Sequence, residues 1–359
     1  METNESRVGM RVLLEAASLS LSSGGLARYT AELSLALARC FPDDAFFLAS
    51  DQPFALPLEC PPNLQRGGGP RNAAERRWWL WGLNREARRL RADLIHGPDF
   101  AVPYLRSSPS VLSLHDLSPW MDPRWHHAAQ RVRWRTPVLL GLGIATMVVT
   151  HSETVRKQAI ERFRLSPARI VAIPPAAPSW LQPVRTAPSR PYFLSVGTLE
   201  PRKNLPALVE AWREVRRTHD IDLVLAGRRR ADAPPLPEEP GLILAGEVPD
   251  QQLAGLYSGA LAVVNPSFYE GFGLPALEAM QCGACVIASR ALWEAGGDAA
   301  VYAEGPAQLV RAMRQAADDP EWLAARRAAS LARAREFSWD RTAGLTYQVY
   351  EEARRRFAH

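Results

Sequence analysis

Tyr192-Phe-Leu-Ser-Val-Gly-Thr-Leu-Glu-Pro-Arg-Lys-Asn204 decides the fold. Tyr192–Val196 is a short, mostly apolar run, long enough for a buried strand and too short for a helix. It ends on Gly197, passes through a polar loop with a proline, and enters the helix-forming stretch Asn204–Thr218. The same unit recurs downstream. Strands are predicted at Leu223–Ala226, Leu242–Ala245, Ala262–Asn265 and Cys285–Ala288, and helices at Pro249–Gly259, Leu274–Gln281 and Gly305–Asp318. Two closing helices follow, near Pro320–Phe337 and Trp339–Phe357. Short apolar strands alternating with helices predict a parallel α/β sheet.

Upstream the pattern appears once more. Strands are predicted at Met10–Glu15, Ala45–Ala49, Asp93–His96, Ser110–His115 and Met147–Thr150. Helices are predicted at Gly25–Cys40, Asn72–Arg91, Pro123–Ala145 and Ser152–Phe163. Between the halves, Ile173-Pro-Pro-Ala-Ala-Pro-Ser-Trp-Leu-Gln-Pro183 has the composition of an interdomain linker. A chain of 359 residues suits two domains rather than one. The expected division is residues 1–178, 179–338 and a final helix, 339–359, returning to the first domain. Ligands of open parallel sheets bind beyond the C-terminal strand ends, so the loops after the strands should carry the chemistry.

Hydrophobic residues make up 47% and charged residues 23%, a globular profile. No apolar run reaches the ~20 residues of a membrane span. Met1–Arg11 is polar and unlike a signal peptide, so a cytoplasmic location is expected. Residues 1–180 carry 22 Arg and Lys against 16 Asp and Glu. That mild excess favours an anionic partner such as a membrane surface or lipid pyrophosphate, and no nucleic-acid motif accompanies it. Arg76-Arg-Trp-Trp-Leu-Trp81 with Arg85, Arg88, Arg89 and Arg91 invites a peripheral membrane contact through the N-terminal domain; packing of the tryptophans on the sheet explains it as well. Cys282-Gly-Ala-Cys285 lacks the second pair or the histidine that a zinc or redox site needs.

Four loops stand out. Ser22-Ser-Gly-Gly-Leu-Ala-Arg-Tyr-Thr30 places Gly24 and Gly25 before a helix, where backbone meets a ligand closely or simply turns. His115 and Asp116 follow a strand; the imidazole could bind a sugar hydroxyl, shift a proton, or cap the turn. In the opening stretch, Gly197 and Thr198 precede Arg202 and Lys203, two cations at a helix start that suit a diphosphate. Phe268-Tyr-Glu-Gly-Phe-Gly-Leu-Pro-Ala-Leu-Glu278 sets Glu270 beside Gly271 and Gly273 and Glu278 on the next helix. Carboxylates there could each grip a diol or work as an acid and base pair.

Taken together, these loops resemble the retaining glycosyltransferases of family 4, in a mannosyltransferase-like branch. The likeness spans nearly the whole chain. Glu270-Gly-Phe-Gly-Leu-Pro-Ala-Leu-Glu278 is similar to the family's E-x7-E motif, and Pro266-Ser267 and Gly297-Asp-Ala-Ala300 fit around it. The resemblance implies the GT-B fold, an α/β architecture of two Rossmann-like domains facing each other across a donor-binding cleft. It implies transfer of a hexose, mannose as first choice, from GDP-mannose or a UDP-hexose to a hydroxyl of a glycan or lipid-linked acceptor. Arg202 and Lys203 would hold the diphosphate, Glu270 the transferred sugar and Glu278 the ribose. His115 would lie beside the sugar. Gly24 and Gly25 would touch the donor, and Gly197, Thr198, Gly271, Phe272, Gly273 and Leu274 would line its site. Thr198 stands where many members have Arg, Trp293 interrupts a common motif, and the Pro-rich linker replaces a usual Pro-Asn-Gly turn. No cofactor or metal is expected; Asp220-Ile-Asp222 copies a metal motif of another fold but precedes its strand. A phosphorylase, a sugar-nucleotide epimerase and, least, a non-catalytic nucleotide-sugar binder are the alternatives.

Overall fold

The computed structural model describes residues 9–20, 24–126 and 129–358. Met1–Val8, Ser22 and Ser23 of the glycine loop, and positions 127 and 128 of the helix expected over Pro123–Ala145 lie outside the described residues. The chain forms two compact units. The first comprises Met1–Leu117, Ala129–Pro174 and Trp339–His359; the second comprises Ser118–Ala128 and Pro175–Ser338.

The first unit holds a seven-stranded sheet: β1 (Arg11–Glu15), β2 (Ala45–Ala49), β3 (Leu64–Arg66), β4 (Leu94–Gly97), β5 (Ser110–Leu114), β6 (Met147–Thr150) and β7 (Ile170–Ala172). Its order is β3-β2-β1-β4-β5-β6-β7, parallel throughout. The helix Gly25–Cys40 buries Tyr29, Leu33, Ala36 and Leu37. It packs beside the last helix, Trp339–Phe357, where Phe41 and Tyr347 stack 3.8 Å apart. That last helix is anchored by Thr342 Oγ1, which donates to the Pro174 carbonyl at 2.8 Å.

The second unit holds β8 (Tyr192–Val196), β9 (Asp222–Ala226), β10 (Leu242–Gly246), β11 (Ala262–Asn265), β12 (Cys285–Ala288) and β13 (Val301–Tyr302). Its order is β10-β9-β8-β11-β12-β13, again parallel. Successive residues of a strand point to opposite faces, and the two cores divide that way. Tyr192, Leu194, Val224 and Val263 face the helices Asp250–Gly259 and Leu274–Gln281. Phe193, Leu223, Leu225 and Val264 face Leu205–Arg216 and Pro306–Asp318. Burial on both faces explains why these strands read as continuous apolar runs.

The structure departs from expectation at several places. Only Trp78–Gly82, a wide turn, and Leu83–Arg89 are helical within Asn72–Arg91. A Cβ on Gly82 would lie 2.3 Å from the Glu75 carbonyl, so the chain is pressed tight there. The long helix after Pro123 begins only at Gln130. The Pro-rich stretch is not a free linker past Pro175: Leu181 is buried in the second core, and Gln281 donates to the Pro178 and Leu181 carbonyls at 2.6 and 2.7 Å. Cys282 and Cys285 are buried thiols, each pushed up to about 12 by burial. No helix among the described residues is long and apolar enough to cross a membrane.

Candidate functional site

In the second unit the chain runs outward from β8 to β9 and β10, then returns to the other side of β8 at β11. Strand order therefore reverses between β8 and β11, the position beyond whose strand ends open parallel sheets bind their ligands. The loops after these two strands are Gly197–Asn204, which carries Glu200, Arg202 and Lys203, and Pro266–Gly273, which carries Glu270.

Their backbones are shaped for close approach. Gly197 has φ 139°, and the space over it is filled by the Lys203 side chain, 3.5 Å from where a Cβ would stand. Gly227, after β9, also has positive φ, and a Cβ there would lie 2.0 Å from the Gly197 carbonyl oxygen. Pro201–Lys203 makes one tight turn, and Asn204 donates to the Pro266 carbonyl at 3.2 Å. Gly273, at φ 104°, starts the helix Leu274–Gln281. Neither Asn204 nor Gly273 caps its helix with a side chain, which leaves the first N–H groups to another partner.

Glu270 lies between the cations. Arg202 Nη1 donates to Oε2 at 2.7 Å, Lys203 Nζ to Oε1 at 2.6 Å, and Ser267 Oγ to Oε1 at 2.8 Å. Arg202 Nη1 also reaches the Tyr269 carbonyl at 3.0 Å, while its Nε stands 2.7 Å from Glu200. Glu200 pairs with Arg230, and Arg230 pairs with Asp232 and donates to the Trp125 carbonyl at 2.6 Å. Burial alone would raise the Glu270 carboxyl, but the charges of Arg202 and then Lys203 prevail and hold it at about 2. Three cations and three anions thus alternate in a shielded chain.

Glu278 stands apart from this chain. It is buried on its helix and accepts from Tyr257 Oη at 2.8 Å. Phe272 is a core residue set edge-on to Phe337, Leu274 packs against the same core, and Thr198 is half-buried after Gly197. Gly271 follows Glu270 in the loop. In the first unit, Gly24 and Gly25 are exposed at a helix start with nothing within 4 Å of a Cβ on either. His115 follows β5. Its Nε2 donates to the Pro98 carbonyl, and its Nδ1 accepts from His151 Nε2 at 2.7 Å. Burial lowers His115, and lowers His96 to about 3. The His115 ring is therefore neutral with both nitrogens engaged, and a ligand hydroxyl would have to displace a partner. Sequence reading named Ser267 only as part of a motif and gave no role to Gly227, Tyr257 or Arg230. Asp220 pairs with Arg190, and Asp222 opens β9 at the strand end opposite these loops. Among the described residues no group of three or more His, Cys, Asp or Glu is placed to hold a metal ion.

The model for Glycosyltransferase Family 4 matches residues 23–179, and that for group 1 glycosyl transferases matches residues 190–319. The O-antigen chain mannosyltransferase B of Escherichia coli is 34% identical over 285 residues, covering 72% of this chain and 74% of that protein. The chain belongs to the family 4, group 1 glycosyltransferases. The MMP alpha-(1->4)-mannosyltransferase of Mycolicibacterium hassiacum is 29% identical to this glycosyltransferase over 255 residues, 66% of this chain and 62% of that one. Anabaena Alr3699/HepE, solved in complex with UDP-glucose, superposes with a TM-score of 0.71 at 17% identity, over 96% of this chain and 99% of that one. The glycosyltransferase therefore has the GT-B fold of two parallel-sheet α/β units.

Proposed function

We propose that this glycosyltransferase moves a hexose, mannose as first choice, from a nucleoside diphosphate sugar to a hydroxyl of a glycan or lipid-linked acceptor, with retention at the anomeric carbon. The observation that carries the proposal is the Arg202–Glu270–Lys203 knot at the strand reversal. Arg202 and Lys203 neutralise the charge that grows on the diphosphate as the sugar–oxygen bond breaks. The leaving phosphate oxygen takes the acceptor proton as the acceptor oxygen bonds to carbon on the same face. Glu270 orients the sugar, and Glu278 holds the ribose. The two mannosyltransferase relatives support mannose and a bond-forming transfer over phosphorolysis or epimerisation. Fixed cations at the diphosphate leave no step that needs a metal.

The proposal includes peripheral contact with an anionic membrane, through a different helix from the one singled out in the sequence. Trp78 is buried and Trp79 packs on the same core, so that stretch mostly faces inward. The helix Gln130–Gly141 instead shows Trp134 and Val138, with Leu142 next in line, at 80%, 49% and 71% exposure. They are spaced four apart along one face, beside exposed Arg131. The function is tested by screening GDP-mannose, UDP-glucose and UDP-galactose for thermal stabilisation and product formation, with the product's anomeric coupling read by NMR. Inversion, or stabilisation by none of the donors, overturns it.

A further inference from the structure

The segment after β12 carries Arg290 and Trp293, and Trp293 is the residue that interrupts the family's common motif there. Arg290–Leu292 makes one tight turn and Trp293–Gly296 one turn of helix. The Trp293 ring stands 5.3 Å from that of Tyr302 on β13. The Arg290 guanidinium lies over both, 5.7 and 5.4 Å from their centroids. Trp293 nevertheless stays 45% exposed. It lines a cavity of about 600 Å³, which the helix Pro320–Ala334 also lines through Ala329, Ala332 and Arg333. All of these residues belong to the second unit.

The walls of this cavity are braced. Arg333 donates from Nε to the Ala295 carbonyl at 3.1 Å and from Nη2 to the Glu294 carbonyl at 2.7 Å, and its Nη1 pairs with Glu336. Tyr302 Oη donates to the Gly297 carbonyl at 2.9 Å. Gly297 has φ 49°, and a Cβ on it would meet Arg333 at 3.1 Å. The tryptophan is thus held by the protein itself, which lowers the ordering cost of binding a ligand. Around the cavity Glu294, Asp298 and Glu336 set three carboxylates against the guanidinium of Arg333, whose three nitrogens are all engaged. Asp298 makes no hydrogen bond or ion pair with any described residue, and the indole N–H of Trp293 donates to none.

That chemistry selects a ligand class. Phosphate, nucleic acid and anionic lipid meet repulsion from the carboxylates. A cation meets Arg290, which already stands where a cation would bind over the two rings. An acyl chain would find one aromatic ring and a few alanine methyls, too little apolar surface to hold it. A neutral sugar fits: its ring C–H bonds pack on the electron-rich indole face, and its hydroxyls donate to Asp298 and accept from the indole N–H. The volume lies within the ~300–1,000 Å³ of ordinary ligand sites, room for a short run of rings. The cavity also abuts the donor loops. Leu292, the neighbour of Trp293, stands 3.0 Å from where a Cβ on Gly273 would lie.

We propose that Trp293 and Asp298 form a carbohydrate-binding platform on the second unit, separate from the donor residues. It holds a short run of neutral sugar rings of the glycan, away from the end that receives the new sugar. The inference rests on the reading of the acceptor as a glycan. Its consequence is retention, because a chain held on the donor-binding unit meets the next donor at a raised effective concentration.

The test uses the full chain with 5-fluorotryptophan in place of its 11 tryptophans and fluorine NMR. Trp293→Phe and Trp180→Phe assign two resonances by their loss, Trp180 being another exposed tryptophan of the same unit. The probes are α-mannotriose, maltotriose, cellotriose and chitotriose, with GDP-mannose and UDP-glucose titrated separately. At least one trisaccharide should shift the Trp293 resonance saturably and leave that of Trp180 in place. Asp298→Asn should weaken this binding about fivefold, ~1 kcal/mol, as a charge-assisted hydrogen bond becomes a neutral one. Its melting temperature and nucleotide affinity should match the parent. A Trp293 resonance indifferent to all four trisaccharides overturns the inference, as does an affinity unchanged in Asp298→Asn. Equal shifts from spermidine or inorganic pyrophosphate overturn it too. Donor binding without a Trp293 response removes the platform alone, whereas a Trp293 response without donor binding leaves the platform standing and removes the donor proposal.

Discussion

Replacing Glu270 by Gln keeps the shape and removes one charge from between two cations that approach it at 2.7 and 2.6 Å. The carboxyl is held at about 2, against an ordinary value of 4.5. At 1.36 kcal/mol per pH unit, this amounts to about 3 kcal/mol of folding stability. Solvent screens little of it, because the side chain is only 7% exposed. The sign follows from the depressed value. The stabilisation is complete above about pH 4.5, where the unfolded carboxyl has also ionised, and is lost as pH falls toward 2. Glu270→Gln should therefore melt lower by roughly 6–12 °C at pH 7, at ~2–4 °C per kcal/mol for a unit of this size. The gap to the parent should hold from pH 8 to 5 and narrow below that.

Ligand binding separates this residue's two duties. With the carboxylate gone, Arg202 and Lys203 keep their charges and lose a competitor for phosphate. Affinity for the sugarless nucleoside diphosphate should be unchanged or higher. Meanwhile kcat and kcat/KM should fall together, as for a contact that matters most in the transition state. Calorimetry with GDP and UDP beside steady-state kinetics makes the comparison. Equal melting at pH 7 would refute the electrostatic reasoning. A loss of nucleotide affinity as large as that of Glu278→Gln would refute the assignment of sugar to Glu270 and ribose to Glu278.

Lys203→Ala should weaken donor binding and turnover by ~2 kcal/mol or more, the worth of a charge-assisted phosphate contact; unchanged rates at limiting donor remove Lys203 from the site. Glu278→Gln should raise the donor KM about tenfold with kcat little changed, because one charge-assisted bond to a ribose is lost; steady-state kinetics decide it. Transfer should persist in excess chelator, and loss that Mg²⁺ or Mn²⁺ restores would count against the cationic site. Glu15 behaves oppositely to Glu270: burial pushes its carboxyl up to about 8, which costs stability as pH climbs from about 4.5 to 8. Glu15→Gln should therefore gain on the parent in melting scans at pH 9 relative to pH 5, by up to about 5 kcal/mol.

The parallel sheets were legible because strands buried on both faces need unbroken apolar runs. Ala45–Ala49, Tyr192–Val196 and Cys285–Ala288 were bounded correctly for that reason. β3, β7 and β13 were not, since they have two or three residues at or near a sheet edge and carry too few apolar positions to form a pattern. The breaks inside Asn72–Arg91 and Pro123–Ala145 were hidden too. Tertiary pressure on Gly82 and the Asp122-capped turn at Pro123–Trp125 override helix-compatible composition.

The candidate site was legible by residue and opaque by partner. Arg202, Lys203 and Glu270 announce themselves through charge beside glycine, but nothing in a linear sequence says that β11 returns beside β8. Only that topology brings a carboxylate sixty-eight positions from Arg202 to 2.7 Å from it. The same topology turns Arg230, in the loop after β9, into the brace of Glu200, which in turn steadies Arg202. Charge in this glycosyltransferase is thus nearly balanced before any donor arrives. On the proposed function, a diphosphate entering the second unit would share Arg202 and Lys203 with Glu270. The cations would then lend charge to the leaving group while Glu270 and Glu200 already hold them in place, so their reorganisation during the reaction would be small.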